Sequence, residues 1–206
     1  MTKDSEDKFL TVSAQPVSTE LKVKGSRFIA HVFHVINTEQ ANSVYSNIRR
    51  KYHDATHNCF AYRITQDEFR YSDDGEPSGT AGKSILQILD KNNLIQTIII
   101  VTRYFGGTKL GTGGLSRAYS QVAAEALNQT NIEVKTRYVT ITVESNYDYH
   151  SQLLDYVNRY KGIIGKTEYS DKITLCLQIP ATRFNDFNSE ISALSERGII
   201  ILNKDD

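Results

Sequence analysis

Tryptophan is absent from this 206-residue chain, methionine occurs once and proline three times. No repeat or low-complexity stretch interrupts it. Only two cysteines occur, Cys59 and Cys176. That excludes a disulfide framework and suits a reducing cytoplasm, with both thiols expected to be structural groups inside strands. There is no apolar run of the roughly 18 residues a membrane helix needs, so no membrane span is expected. The opening MTKDSEDKF is polar and acidic, without the apolar centre of a secretory signal. An excess of one charge is missing as well: 24 Lys and Arg balance 24 Asp and Glu. Residues 1–136 carry 16 basic and 14 acidic groups, and residues 137–206 carry 8 and 10. Neither half has the bulk basic excess of a nucleic-acid binder. Any such binding must come from a local patch.

What is present reads as a cytoplasmic globular protein, 39% hydrophobic and 23% charged. Patterning predicts an α+β protein of two domains, 1–132 and 137–206, joined near Thr130–Thr136. The first begins with extended stretches at Leu10–Val17 and Glu20–Lys24, a polar break at Gly25-Ser26, and the alternating run RFIAHVFHVI. An amphipathic helix is predicted over Thr38–Tyr52, capped by Asn37 or Thr38. A hairpin follows over Asn58–Ile64 and Glu68–Ser72, then a short helix over Ser84–Leu89. The β-branched run Leu94–Tyr104 suits a central strand covered on both faces, and Gly114–Asn128 a closing helix. In the second domain the order is strand Tyr138–Glu144, helix Tyr147–Tyr160, strands Ile163–Tyr169 and Ile173–Ile179, helix Ala181–Arg197 ended by Gly198, and strand Ile199–Leu202. That is the ferredoxin-like β-α-β-β-α-β order.

Glycine is the informative excess. Eight of the twelve glycines lie between Gly75 and Gly114, and five crowd into Gly106–Gly114. They follow an apolar strand and precede a helix. Strand, glycine loop, helix start is the geometry that aims free main-chain N–H groups at an anion. The candidate anion or nucleic-acid site is Gly106, Gly107, Gly111, Gly113 and Gly114 with a cationic rim of Lys24, Arg27, Arg103, Lys109 and Arg117. The competing account is a sharp turn in which glycines let helix and strand pack closely. The dinucleotide fingerprint is excluded by its spacing.

Three further patterns compete for attention. Pro77–Ser84 is one residue from the phosphate loop G-x-x-x-x-G-K-[ST], but Pro77 replaces its first glycine and no apolar strand precedes it, so a nucleotide triphosphatase is not expected. Asp73, Asp74 and Glu76 would suit Mg²⁺, yet Asp74-Gly75 followed by Glu76-Pro77 is strong turn chemistry, and the turn is preferred. His53, His57 and Cys59 share the spacing H-x-x-x-H-x-C. A structural or surface role is expected for them, with proton transfer by His57 kept for an enzymatic reading.

Four motifs carry a resemblance: K-G-S-R-F (Lys24–Phe28), H-x-A-x-H-x-C-x-A-Y (His53–Tyr62), D-D-G-E-P-x-G-T-A-G (Asp73–Gly82) and V-T-R-Y-F-G-G-x-K-L-G-x-G-G-L-x-R-A-Y (Val101–Tyr119). Together they resemble the IMPACT/YigZ family, in its bacterial two-domain form. The resemblance implies a first domain folded like the second domain of ribosomal small-subunit protein five, a mixed sheet with helices, and a tail shaped like a domain of elongation factor G. Eukaryotic relatives restrain a starvation-sensing kinase through an additional RWD domain. About ten polar residues precede the first strand here, so that role is not expected to carry over. The leading expectation is a non-enzymatic regulator associated with translation, meeting RNA, the ribosome, a translation factor or another phosphate-bearing ligand, with no cofactor. The alternatives are a metal-dependent enzyme acting on phosphate esters, using Mg²⁺ at the acidic loop with His57, and a regulator that binds proteins alone. Oligomeric state is not legible.

Overall fold

Strand periodicity organises the first unit. The computed structural model describes residues 6–195 and 198–205. Phe9–Val134 form one compact unit, and Asp7 and Lys8 group with the unit that begins at Lys135. The first unit contains β1 (Lys8–Val12), β2 (Val17–Val23), β3 (Ser26–His34), α1 (Thr38–Lys51), β4 (His57–Arg63), β5 (Phe69–Ser72), α2 (Gly82–Lys91), β6 (Thr97–Tyr104), α3 (Gly111–Asn128) and β7 (Ile132–Thr136). Five strands form a sheet in the order β2-β3-β6-β4-β5.

Every pairing in that sheet is antiparallel, so the mixed sheet implied by the resemblance is corrected. β3 and β4 nevertheless run parallel to each other, because each pairs antiparallel with β6 between them. The connection through α1 therefore steps over one strand. β6 reads buried at its first seven positions, as a β-branched run in mid-sheet should when both faces are covered. Alternate residues go to opposite faces. Phe28, Ala30, Val32, Cys59, Ala61, Ile99 and Val101 meet α2 and α3. Phe60, Tyr62, Ile98 and Ile100 meet Ala41 and Ile48 of α1. Asn37 caps α1, its side-chain oxygen accepting from the Gln40 N–H at 2.8 Å.

Two expected boundaries move. α3 starts at Gly111, one turn before the expected Gly114. β7 lies where a linker was read. It pairs with β1 in a two-stranded ribbon, and because Ile132 and Val134 stay exposed no apolar periodicity betrays it.

The second unit contains β8 (Tyr138–Ser145), α4 (Tyr147–Arg159), β9 (Ile163–Tyr169), β10 (Ile173–Pro180), α5 (Ala181–Ser192) and β11 (Ile199–Asp205). The strand order β11-β8-β10-β9, antiparallel throughout, is the ferredoxin-like arrangement. Its core joins Ile141, Val143, Leu153, Val157, Phe184, Phe187 and Ile191. α5 ends at Ser192, earlier than the expected Arg197; residues 196 and 197 lie outside the described residues. The expected glycine cap is corrected too: the C-cap of α5 is Ala193, and Gly198, at φ +84° with its N–H on the Ser195 carbonyl at 3.0 Å, precedes β11. The expectation of a first domain running from residue 1 fails at Asp7. Its carboxylate accepts from the N–H and hydroxyl of Thr182 at 2.9 and 2.6 Å, and its carbonyl accepts from the Arg137 N–H at 2.8 Å. Among the described residues, no helix is long and apolar enough to cross a membrane.

Candidate functional site

The candidate site forms where β6 hands over to α3. Past Tyr104 the chain runs through Phe105-Gly106-Gly107-Thr108-Lys109-Leu110 and enters α3 at Gly111. Gly107 and Gly111 sit at φ +85° and +72°, and a Cβ at either would meet nothing within 4 Å. Their requirement is conformational. Gly106 differs. A Cβ there would lie 1.8 Å from the Gly25 carbonyl carbon, so the pair exists to let the β2–β3 turn cross the loop. Its N–H is consumed by the Ser26 hydroxyl at 3.2 Å. Gly106 is therefore a packing residue, a correction to its expected place among the anion donors.

Gly111, Thr112 and Gly113 make up the first turn of an 18-residue helix that has no side-chain cap. Among the described residues, no acceptor takes their N–H groups. In front of the turn lies a cavity of about 360 Å³, bounded by Glu76, Pro77, Arg103, Phe105, Lys109, Leu110, Gly111, Thr112 and Leu115. Lys109 lines it and is exposed; Lys24 and Arg117 are exposed as well but do not line it. Arg117 lines two neighbouring depressions. One is shared with Lys24, Gly114 and Gln121. The other is a groove of about 480 Å³ between α2 and α3, shared with Lys83, Ser84, Gln87, Ser116 and Ser120. No ion pair engages Lys24, Lys83, Lys109 or Arg117 among the described residues.

Arg103 departs from expectation most. It is only 5% exposed. Its Nη1 donates to Glu76 Oε1 at 2.5 Å and its Nη2 to the Ser26 hydroxyl at 3.3 Å. Its guanidinium also lies 5.3 Å from the Phe28 ring and 5.5 Å from that of Phe105. Arg103 is half of a buried ion pair on the cavity floor, not a solvated rim cation. Arg27 leaves the site for a simpler reason. It alternates with Phe28 along β3 and so points to the other face of the sheet, where it lies 4.5 Å over the Tyr104 ring and 4.0 Å from Glu20.

The acidic trio separates into three jobs. Asp73 accepts from the N–H groups of Gly79, Ala81 and Gly82 at 2.8, 2.9 and 2.8 Å. It thus fills the N-terminus of α2, whose own cap residue Ala81 makes no side-chain hydrogen bond. This explains the near-match to a phosphate loop: the Pro77–Ser84 segment does wrap an anion, and the anion is internal. Asp74 and Gly75 take φ +42° and +90°, and the Glu76 N–H closes the turn on the Asp73 carbonyl at 2.9 Å. The turn reading holds. The Asp74 carboxylate accepts from the Asn58 N–H at 2.7 Å. Among the described residues, no three of His, Cys, Asp and Glu converge as a metal site.

Glu76 is 7% exposed and lies at the centre of a network the sequence did not disclose. Its Oε1 accepts from Arg103 and, at 2.9 Å, from the Tyr119 hydroxyl. The Cys59 thiol lies 3.4 Å from that hydroxyl and 3.0 Å from the Asp73 carbonyl. Burial pushes both the Cys59 thiol and the Tyr119 phenol well above their usual range, so Cys59 is a thiol rather than a thiolate nucleophile. His57 Nδ1 lies 2.7 Å from the Asp74 carbonyl. A carbonyl can only accept, so Nδ1 carries a proton there, while Nε2 lies 4.0 Å from Glu76 Oε1. His53 is exposed and lies at no metal cluster among the described residues. The missed partners Tyr119, Cys59 and Ser26 left one signal in sequence: a tyrosine and a cysteine at positions patterned for the core.

Fold and site define a two-unit α+β protein with an uncapped, glycine-rich helix start above a buried ion pair. Residues 24–127 match the family profile of the Impact N-terminal domain. The chain is 32% identical over 178 residues to IMPACT family member YvyE of Bacillus subtilis, covering 85% of this chain and 82% of that one. It is 30% identical over 195 residues to IMPACT family member YigZ of Escherichia coli, covering 93% and 96%. A crystal structure described as a hypothetical protein, 30% identical, superposes with a TM-score of 0.68 over 95% of this chain and 97% of that one. The chain belongs to the IMPACT family.

Proposed function

We propose that this protein is a non-enzymatic, cytoplasmic regulator associated with translation, and that it binds RNA or another phosphate-bearing ligand at the start of α3. The observation that carries this reading is the first turn of α3, whose N–H groups have no acceptor among the described residues and face a cavity. An uncapped helix start holds partial positive charge, and Lys24, Lys109 and Arg117 add whole charges around it. The sheet face opposite supplies rigidity, not contacts. The link to translation rests on family resemblance to ribosomal and elongation-factor folds.

Phosphate contacts give affinity without sequence choice and weaken with salt. The test is titration of single-stranded RNA into the full chain at two salt concentrations, beside a variant with Lys24, Lys109 and Arg117 all replaced by alanine. Binding is expected to weaken with salt. The variant should show a log–log salt slope shallower by about 2, since each single-strand phosphate contact contributes about 0.7. Binding that ignores salt and survives the triple replacement refutes the proposal.

A further inference from the structure

We infer that the cavity above the Arg103–Glu76 pair is a nucleotide pocket, taking a base within it and a phosphate at its rim. This deepens the proposed phosphate-bearing ligand and rests on that reading.

Three features of the cavity point to a ligand with more than an anionic group. The first is Phe105. Its ring is 47% exposed although it borders a cavity, and Leu110, Leu115 and Pro77 line the same space. A bare phosphate gains nothing from such walls, whereas a planar heterocycle stacks on an exposed aromatic ring. The second is Glu76. Both protein donors, Arg103 and Tyr119, go to its Oε1. Among the described residues nothing donates to Oε2, although the side chain is almost wholly buried. Oε2 is not one of the sealed polar atoms that lack a partner, so it keeps an opening, on a residue that lines the cavity. It fits a ligand N–H: the amino group of adenine, cytosine or guanine, or the imide of uracil. The third is the cavity's other side, where Lys109 and the N–H groups of Gly111 and Thr112 suit a phosphate. Donor-seeking floor, flat apolar wall and anion-seeking rim together describe a nucleotide. The volume, about 360 Å³, lies in the range of small-molecule sites, roughly 300–1,000 Å³.

Arg103 has a definite part in this. Paired with Glu76, it offsets the carboxylate's charge, so the floor does not repel the phosphate at the rim. Its place against Phe28 and Phe105 also holds the Phe105 ring by a cation–π contact.

The source of the nucleotide, free or at the end of an RNA strand, is separated by experiment. Calorimetry on the full chain would use the four nucleoside monophosphates, inorganic phosphate and a single-stranded oligonucleotide. The two variants are Phe105→Ala, at an exposed ring, and Lys109→Ala. Nucleoside monophosphates are expected to bind more tightly than phosphate. Phe105→Ala should weaken them about 5- to 150-fold, the range of one lost base–aromatic stack, and leave phosphate binding as it was. Lys109→Ala should weaken both ligands. A tighter oligonucleotide marks an RNA strand as the source, and a weaker one marks a free nucleotide. If monophosphates bind no better than phosphate, or Phe105→Ala leaves them unchanged, the nucleotide pocket is overturned, while salt-dependent RNA binding through Lys24, Lys109 and Arg117 still stands. If RNA and phosphate both fail to bind, the anion site itself is lost and the pocket with it.

Discussion

Removing one member of the Arg103–Glu76 pair should cost far more stability than removing any exposed cation nearby. The side chains are 6% and 3% exposed, the bond is 2.5 Å, and Tyr119 and Ser26 complete it. Arg103→Ala leaves the Glu76 carboxylate buried with one neutral donor. Glu76→Ala leaves a guanidinium among Phe28, Phe105 and Ser26. Breaking a buried pair from one side costs about 3–5 kcal/mol. Replacing both, as Arg103→Met with Glu76→Leu, should cost clearly less than the two single losses together, because neither charge is then stranded. The two units need not unfold together, so a global midpoint would blur the effect. Amide exchange in β6, whose residues pair on both sides with β3 and β4, reads the stability of the first unit directly. Lys109→Ala, at an exposed site, serves as control and should stay within about 0.5 kcal/mol of the parent. If Arg103→Ala costs less than about 1 kcal/mol, or the double replacement costs the sum of its parts, the pair is hydrated and Arg103 belongs to the rim after all.

Two further outcomes follow from groups away from the cavity. His31 is 2% exposed, with Nδ1 2.8 Å from the Ser18 hydroxyl and Nε2 without a partner among the described residues. Burial, helped by Lys51, lowers its pKa to about 4. The unfolded chain therefore binds this proton first. Stability is full above the ordinary value near 6.5 and falls as pH drops from there toward 4, by about 3 kcal/mol at most. β6 amide exchange across that window should show the loss, and His31→Gln should flatten it. Asp73→Asn should destabilise the start of α2 by about 1–3 kcal/mol, since a single amide oxygen replaces a carboxylate that accepts three N–H groups. Faster exchange at residues 79–86 checks it, and unchanged exchange there would refute the capping role.

Elements with a buried face were legible in sequence. β6, α1 and α3 announce themselves by period, and the second unit's whole order follows from apolar spacing. What stayed hidden has common physical causes. β7 has no buried face to pattern. Arg27 and Arg103 look alike in the motif, and only strand parity sends one to the far side of the sheet. Arg103 carries no mark that its partner, 27 residues earlier, is Glu76 rather than solvent. A charge count treats each ionisable group as free, so it overstates the cationic rim by two arginines and misses Lys83.

The two glycine-bearing helix starts in the first unit show how much a single carboxylate decides. Both α2 and α3 begin in small residues after a loop, and both lack a capping side chain from the residue before the helix. At α2 the chain supplies its own anion: Asp73 engages Gly79, Ala81 and Gly82, which fixes the loop and leaves nothing for an external phosphate. At α3, among the described residues, no carboxylate is offered to Gly111, Thr112 or Gly113. Glu76, which lines the same cavity, is turned toward Arg103 and Tyr119 instead. Similar backbone chemistry thus gives a sealed structural cap at one helix and an open donor turn at the other. Sequence distance cannot distinguish them, because Asp73 and Glu76 lie three residues apart on one turn. The distinction is made by what each carboxylate meets: main-chain N–H groups for Asp73, the side chains of Arg103 and Tyr119 for Glu76. It leaves the start of α3, where Phe105, Lys109 and the cavity lie, as the place for the anion we propose.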